Sequence, residues 1–248
     1  MSKPTVLVTG AANGIGRGTA EVLSQRGWRV AVNDLDSDAV ATVAQELGGI
    51  AVPGDVARNA ATIVEHTIES TGRLDGLVNN AGIVRRQSLA DITPENIDET
   101  IAVNLRAAML LSAAALPHLE RRTGAIVNIA SFTVNHPVPH GGTYSTSKGA
   151  LLTYTRQAAV EWGPRGVRVN AIGPGMIRTA MAESVYRDPA KYEARRRLVP
   201  LGRIGTPEDV GRVVAFLLSE DARYVSGQCI MVDGAQSWTL AAHIPSSG

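Results

Sequence analysis

The sequence predicts an α/β fold of three layers, in which a parallel sheet of seven strands is covered by helices on both faces. Short β-branched runs alternate with longer amphipathic segments from one end of the chain to the other. The 248 residues are 44% hydrophobic and 19% charged, which suits one large buried core. No linker divides the chain, so we expect a catalytic domain over residues 1–235 and a C-terminal extension over 236–248.

The elements follow from these runs in chain order. Strands are predicted near Val6–Val8, Arg29–Asn33, Ile50–Val52, Gly76–Val78, Ala125–Ile129, Arg168–Ala171 and Gln228–Val232. Helices are predicted over 15–26, 37–47, 58–71, 94–119, 143–162 and 207–219. Thr93 and Thr206 each precede a proline and a glutamate, which is typical of a helix N-cap.

Two stretches, at about 132–142 and 173–205, are predicted to be irregular. Each follows the carboxyl end of a predicted strand, where open α/β sheets bind ligands. We therefore expect functional loops there, with a mobile substrate lid over about 176–205.

Charge and cysteine content argue against several classes of protein. Lysine and arginine (24) balance aspartate and glutamate (23), so no overall field favours nucleic acid or a membrane surface. The single cysteine, Cys229, fits a reducing, cytoplasmic compartment, and the N-terminal apolar run is too short for a secretory signal. The most apolar stretch, Ala107–Leu116, stops at Pro117 and predicts a buried helix. No histidine and carboxylate spacing suggests a metal site.

A glycine-rich turn, Thr9-Gly10-Ala11-Ala12-Asn13-Gly14-Ile15-Gly16, follows the first predicted strand and leads into a helix. Glycines allow the backbone to approach a pyrophosphate closely, and the helix N-terminus offers it unpaired N–H groups. Taken alone, such a turn could be only a tight connection.

Asp34 ends the second predicted strand, close to the spacing expected of a ribose-binding carboxylate. A carboxylate there would accept hydrogen bonds from the adenosine ribose and repel a 2′-phosphate. Neither Asn13 nor Leu35 supplies a cation for that phosphate, so we expect NAD rather than NADP. The alternative is that Asp34 caps the next helix, a role that Asp36 could also fill.

From about residue 5 to residue 235, the motifs resemble those of the short-chain dehydrogenase/reductase family. They continue with Asp55-Val56, Asn79-Asn80-Ala81-Gly82, Asn104, Ser131, Tyr144 with Lys148, Pro174-Gly175 with Thr179, and Asp233-Gly234. The resemblance implies a Rossmann fold and an NAD(P)-dependent enzyme acting on CH–OH groups. The sequence departs from the family pattern at Gly173 and Ala235, which affects backbone freedom more than chemistry.

Tyr144 and Lys148 are one helical turn apart and so share a face. A nearby ammonium and a positive nicotinamide ring would favour the phenolate, so we expect the pKa of Tyr144 to fall toward the working pH. Tyr144 would then be the general base in alcohol oxidation. Ser131 could hydrogen-bond the reacting oxygen, or simply form a turn.

By the resemblance, Lys148 also binds the nicotinamide ribose, while Asn104 kinks its helix and holds a water for proton relay. A buried structural amide is the competing interpretation of Asn104. The implied cofactor residues are Gly10, Asn13, Gly14, Ile15, Gly16, Asp34, Asp55, Val56, Asn80, Ala81, Gly82, Tyr144, Lys148, Pro174, Gly175, Ile177 and Thr179.

The expected substrate-binding residues are polar or basic: Arg86, Ser131, His136, His140, Tyr144 and Arg178. They suit a sugar, sugar acid or polyol better than a steroid or long acyl chain. The run Arg195–Arg197 lies in the expected lid, although such a run is usually a solvated helix face. Two alternatives stay open: an NADPH-dependent 3-oxoacyl-thioester reductase, which shares the motifs, and a catalytically silent NAD-binding sensor.

Small residues on the helices over 94–119 and 143–162 permit close packing, and the resemblance implies homodimers or homotetramers. Trp238 and His243 lie in the C-terminal extension, which we expect to pack against a neighbouring subunit or to fray.

Overall fold

Seven parallel strands form one sheet in the computed structural model, which describes residues 3–179 and 183–239. The order is β3-β2-β1-β4-β5-β6-β7, and every adjacent pair is parallel, so all carboxyl ends meet at one edge. The strands are β1 (Thr5–Thr9), β2 (Arg29–Asn33), β3 (Ile50–Ala51), β4 (Gly76–Asn79), β5 (Ala125–Ile129), β6 (Arg168–Pro174) and β7 (Cys229–Val232). The predicted α/β fold is confirmed.

The six predicted helices are present with bounds close to those expected. They are α1 (Gly14–Gln25), α2 (Ser37–Leu47), α3 (Ala60–Thr71), α4 (Pro94–Ile101) continuing through a π-helical turn (Ala102–Arg106) into α5 (Ala107–Leu119), α6 (Gly142–Trp162) and α9 (Pro207–Leu218). Thr93 and Thr206 cap their helices as predicted.

The expectation of an irregular 173–205 is wrong in part, because α7 (Glu183–Tyr186) and α8 (Pro189–Arg196) lie within it. The carboxylate of Asp188 accepts hydrogen bonds from the N–H groups of Ala190 and Lys191. Pro189 occupies the first helical position, where its missing N–H costs nothing. The proline therefore starts a helix at the place where sequence analysis expects a loop.

Two layers of helices sandwich the sheet. Val6 and Val8 of β1 face a core shared with α1, α2 and α9, whereas Leu7 faces a core shared with α3, α5 and α6. By length and composition, the helical run Pro94–Arg122 could cross a membrane. In this fold Leu111 and Leu119 of that run are buried against the sheet, which confirms the predicted core helix.

A buried polar network joins the sheet to α5 and α6. The Asn79 side chain donates to Ser112 Oγ at 3.0 Å and to Asn128 Oδ1 at 2.8 Å. Asn128 in turn donates to Thr155 Oγ1 at 2.9 Å. Because hydrogen bonds strengthen one another where water is excluded, this network fixes the position of α6 relative to the strands of the sheet.

We expect Asn128→Ala to lower the free energy of unfolding by about 2–3 kcal/mol, since it removes one of the hydrogen bonds of the buried Asn79 amide and one of the buried Thr155 hydroxyl. Urea unfolding followed by circular dichroism measures this loss. The control is Asn59→Ala, which removes an exposed amide that makes no side-chain capping bond. A loss below about 1 kcal/mol for Asn128→Ala would show that the network contributes little.

Candidate active site

The glycine-rich turn lies at the carboxyl edge of β1 and is held against the end of β4. Gly10 and Gly14 have positive φ angles of 62° and 56°. A Cβ on Gly16 would lie 2.0 Å from the carbonyl oxygen of Gly10. Asn80 donates to that same oxygen at 3.0 Å. The N-cap residue of α1, Asn13, makes no side-chain capping bond, so the first N–H groups of this helix are available to a phosphate.

Asp34 is not the cap of α2. That cap is Asp36, the other residue that the sequence offered for this role. Its carboxylate accepts hydrogen bonds from two N–H groups in the first turn of α2, at 3.1 and 3.0 Å. Asp34 instead accepts from the N–H of Ala12 at 3.1 Å and of Leu35 at 2.8 Å. Its carboxylate is thereby held beside the glycine-rich turn, where an adenosine ribose would lie.

A cavity of about 710 Å³ lies next to this carboxylate, with Leu35, Asp55 and Ile83 in its lining. The side chain of Val56 is buried in the core behind it. Sequence analysis missed Arg58, which also lines the cavity and lies 3.5 Å from the Asp55 carboxylate. The cavity lining also contains Arg85, which pairs with Glu99, and Arg106.

The start of the lid faces the glycine-rich turn. A Cβ on Gly14 would lie 3.5 Å from the Thr179 methyl group, and a cavity of about 260 Å³ separates the two segments. Ile177 and Gly205 form an isolated β-bridge that joins the two ends of the segment after β6. The glycine-rich turn and the residues up to Thr179, both predicted to bind the dinucleotide, therefore face each other across a cavity, an arrangement that is compatible with such a cofactor.

Asn104 lies in the π-helical turn between α4 and α5 and is 1% exposed. Its Oδ1 accepts from the Ile83 N–H at 2.8 Å, while Nδ2 donates to the Ile83 carbonyl at 3.0 Å and to Ser147 Oγ at 3.1 Å. Ser147 donates to the Tyr144 carbonyl at 2.7 Å. The expected distortion of the helix is present, as a π-helical turn. The Asn104 side chain has the contacts of a buried structural amide, the competing interpretation of this residue. The water relay stays a prediction.

Three predicted catalytic side chains meet where β5 ends. Tyr144 and Lys148 share one face of α6, with the Lys148 Nζ 5.9 Å from the centre of the phenol ring. Lys148 donates to the Ile129 carbonyl at 2.7 Å. Ser131 follows two residues later, and its side chain lies close enough to the Tyr144 phenol to affect the pKa of that group. This arrangement can hold an oxygen atom of a ligand between a hydroxyl and a phenol.

Burial controls the acidity of this group. It raises the pKa of the Tyr144 phenol, and the Ser131 side chain offsets only part of that rise. Burial also lowers the pKa of Lys148 to about 8. In the protein without a cofactor, desolvation therefore outweighs the neighbouring groups. The expected fall in the pKa of Tyr144 beside a bound nicotinamide stays a prediction.

The other predicted substrate residues surround this point without meeting it. Arg86, His136 and His140 are exposed. The Gln87 N–H donates to the His140 carbonyl at 3.2 Å and so joins the loops on either side of Tyr144. Arg178 forms an ion pair with a lid carboxylate, Glu183, at 3.0 Å instead of pointing freely at a substrate.

Of the arginine run, Arg196 and Arg197 both form ion pairs with Glu193 of α8, which favours the interpretation as a solvated helix face.

Three residues that contact the site were not predicted from the sequence: Ser147, Gln87 and Gln236. Of these, only Ser147 had a usable signal, since it directly precedes Lys148 and lies three positions after Tyr144 on one helix.

Known proteins match the chain along most of its length. A family model described as enoyl-(acyl carrier protein) reductase matches residues 10–235. A 3-oxoacyl-(acyl-carrier-protein) reductase from Thermotoga maritima is 36% identical, over 92% of this chain and 95% of the relative. Human dehydrogenase/reductase SDR family member 4 is 34% identical, over 94% of this chain and 87% of the relative.

Solved structures also match. A crystal structure from Agrobacterium tumefaciens, provisionally assigned as a gluconate dehydrogenase, superposes with a TM-score of 0.89 at 32% identity, over 96% of this chain and 97% of that one. The relatives together include reductases of acyl thioesters and a provisional dehydrogenase of a sugar acid, so similarity alone does not select a substrate.

The buried ammonium predicts an unusual pH dependence of stability. Below a pH of about 8, Lys148 is protonated in the folded and unfolded chains, so the folded protein carries the full cost of burying the charge. Between about 8 and the 10.4 of an unfolded lysine, the folded state loses its proton first and this cost declines.

We therefore expect Lys148→Met to be more stable than the unchanged protein by up to roughly 3 kcal/mol at pH 7, with the difference shrinking toward pH 10. Urea unfolding at several pH values measures it. Lys191→Met, at an exposed lysine, is the control and should change stability by less than about 1 kcal/mol throughout. A difference that does not vary with pH would contradict the burial argument.

Proposed function

The chain belongs to the short-chain dehydrogenase/reductase family, and from that premise we propose that it oxidises a secondary alcohol or hemiacetal carbon of a sugar, sugar acid or polyol with NAD. It is an oxidoreductase that binds a nicotinamide dinucleotide and acts on CH–OH groups. One observation carries the proposal: the Ser131 hydroxyl, the Tyr144 phenol and the Lys148 ammonium converge at the carboxyl end of β5.

In this proposal the cofactor lies across the carboxyl edge of the sheet. The glycine-rich turn holds the pyrophosphate, Asp34 the adenosine ribose, Lys148 the nicotinamide ribose, and residues 174–179 the carboxamide. When bound, the oxidised nicotinamide supplies the hydride acceptor and a positive charge next to the phenol.

The remaining chemistry belongs to the chain. Ser131 hydrogen-bonds the substrate oxygen and orients it toward Tyr144 Oη, which removes the hydroxyl proton. Before this step the phenol must release its own proton to solvent, and the Lys148 ammonium stabilises the phenolate that results. Asn104 acts indirectly, since it holds Ser147 and the chain after Gly82 in place against α6.

The preference for NAD rests on Asp34. Its carboxylate is free of any capping role and lies beside the turn, where it would repel a 2′-phosphate. Leu35, the next residue, is exposed and carries no charge. Of the arginines that line the cavity, Arg58 is the nearest to Asp34 in sequence and could favour NADP, and it is paired with Asp55.

Buried polar atoms near the phenol support a hydroxyl-rich substrate. Within the described residues, Gln87 Oε1, Thr133 Oγ1, Thr143 Oγ1 and Ser145 Oγ are buried without a hydrogen-bond partner. Buried polar groups are rarely unpaired in native proteins. Thr133 lies two residues after Ser131, Thr143 and Ser145 flank Tyr144 at the start of α6, and Gln87 lies in the loop after β4. Hydroxyl groups of a sugar could satisfy them. Arg86, His136 and His140 are the proposed outer contacts.

The 3-oxoacyl-thioester reductase remains the second candidate, because the lid also presents apolar side chains. Leu198 and Leu201 are 38% and 71% exposed, and would suit an acyl chain. The silent sensor finds no support in a chain that belongs to an enzyme family and assembles these three side chains.

Assembly, compartment and boundaries are part of the proposal. Met109 and Leu110 are exposed on α5, and their burial between subunits would support a homodimer or homotetramer. Sedimentation measures that oligomeric state.

We also propose a cytoplasmic enzyme in carbohydrate metabolism, with a catalytic domain over 1–235, a lid over about 176–205 and an extension over 236–248.

We expect Tyr144→Phe to lower kcat at least 100-fold and to change the Kd for NAD less than threefold, because only the proton-transfer group is lost. Stopped-flow absorbance and NAD titration measure the two quantities. Tyr224→Phe, at a fully exposed tyrosine, is the control. Unchanged turnover in Tyr144→Phe would remove the phenol from the mechanism.

The substrate class is tested by measuring reduction of NAD and NADP with aldoses, aldonic acids and polyols, and oxidation of NADH and NADPH with 3-oxoacyl thioesters. Turnover of the first group with NAD supports the proposal. Turnover confined to the thioesters would establish the second candidate instead.

We expect Asp34→Asn to raise the KM for NAD at least tenfold and to raise the relative use of NADP, because a charged acceptor for the ribose and a repulsive charge are both lost. Steady-state kinetics with each cofactor measure this change. Asp38→Asn removes an exposed charge four positions along the chain and should leave the preference intact. An unaltered preference in Asp34→Asn would mean that Asp34 does not select the cofactor.

A further inference from the structure

The chain beyond β7 turns back over the carboxyl edge of the sheet. Asp233 is buried, and its carboxylate accepts from the N–H of Ala235 at 3.0 Å and of Ser237 at 2.9 Å. Ala235 has a φ of +69°, which reverses the chain direction. The following 3-10 turn, Gln236–Trp238, is thereby fixed in place by the strand end.

This turn contacts two loops that flank the phenol. The Met176 N–H, within the proposed carboxamide-binding segment 174–179, donates to Gln236 Oε1 at 3.2 Å. The indole ring of Trp238 meets the imidazole of His136 edge to face, with 6.4 Å between their centres. His136 belongs to the loop that begins at Ser131. The turn therefore lies between the loop after β5 and the loop after β6.

Neither ring is buried by these contacts. Trp238 remains 75% exposed and His136 is exposed as well. An indole ring that stays uncovered between these two loops offers a broad apolar face, whose negative π surface attracts C–H groups. An imidazole beside it offers a donor and an acceptor.

We propose that Trp238 and His136 form one wall of the substrate subsite and select a cyclic sugar. The ring C–H groups lie against the indole face, and one hydroxyl pairs with the imidazole. This inference rests on the proposed function and extends it to the C-terminal segment. A linear acyl chain could contact the indole but would leave the imidazole without a partner.

The probes are an aldohexose, the same sugar lacking one hydroxyl at each position in turn, and propan-2-ol, which has no ring to stack. We expect Trp238→Ala to raise the KM for the aldohexose at least tenfold, with kcat within threefold and the KM for propan-2-ol within threefold. Trp238→Phe, which keeps an aromatic face, should stay within threefold for all probes.

His136→Ala is expected to raise the KM for the aldohexose but not for the one deoxy sugar that lacks the paired hydroxyl. Tyr224→Ala removes an exposed aromatic ring elsewhere on the surface and is the matched control. A uniform effect of His136→Ala on every sugar would contradict the assigned hydroxyl contact.

Assays of the unchanged protein distinguish failure of the proposed function from failure of the proposed wall. Absence of turnover with every sugar would overturn the proposed function, and the wall with it. Turnover of the aldohexose that is equally good in Trp238→Ala would overturn the wall alone. A sedimentation change in Trp238→Ala with unchanged KM would also overturn it, by placing the indole between subunits.

Discussion

The site depends on one buried positive charge. The Lys148 ammonium is 3% exposed and donates to the carbonyl at the end of β5, below the phenol ring of Tyr144. Burial makes this charge costly, as the lowered pKa of about 8 shows. In the mechanism that we propose, the same charge stabilises the phenolate, which explains why the fold would retain so costly a group.

Holding that charge under the phenol requires a fixed α6. On the sheet side, Asn128 joins α6 through Thr155. On the other side, Asn104 hydrogen-bonds both main-chain groups of Ile83 and the hydroxyl of Ser147. Ser147 lies in the turn of α6 between the phenol and the ammonium. Because these contacts are buried and mutually supporting, the catalytic geometry exists before any ligand arrives.

Sequence patterns predicted the elements that depend on buried apolar runs, such as Arg29–Asn33 and Ala125–Ile129, whose bounds agree with the structure. They did not predict α8, because a proline starts a helix or interrupts one according to the cap before it. The direction of the Tyr144 pKa depends on burial, which motif spacing does not report. The contact between His136 and Trp238 joins loops far apart in the chain, so no local signal could reveal it.

In the proposed mechanism, the Tyr144 phenol ionises near working pH only when Lys148 and a bound oxidised nicotinamide act on it together. Its most direct test is the ultraviolet titration of tyrosinate, taken as the difference between the unchanged protein and Tyr144→Phe, with and without NAD. The account predicts a pKa above that of a free phenol for the protein alone and a clear fall below it with NAD, a fall that Lys148→Met abolishes. A pKa that NAD leaves unmoved would contradict the account.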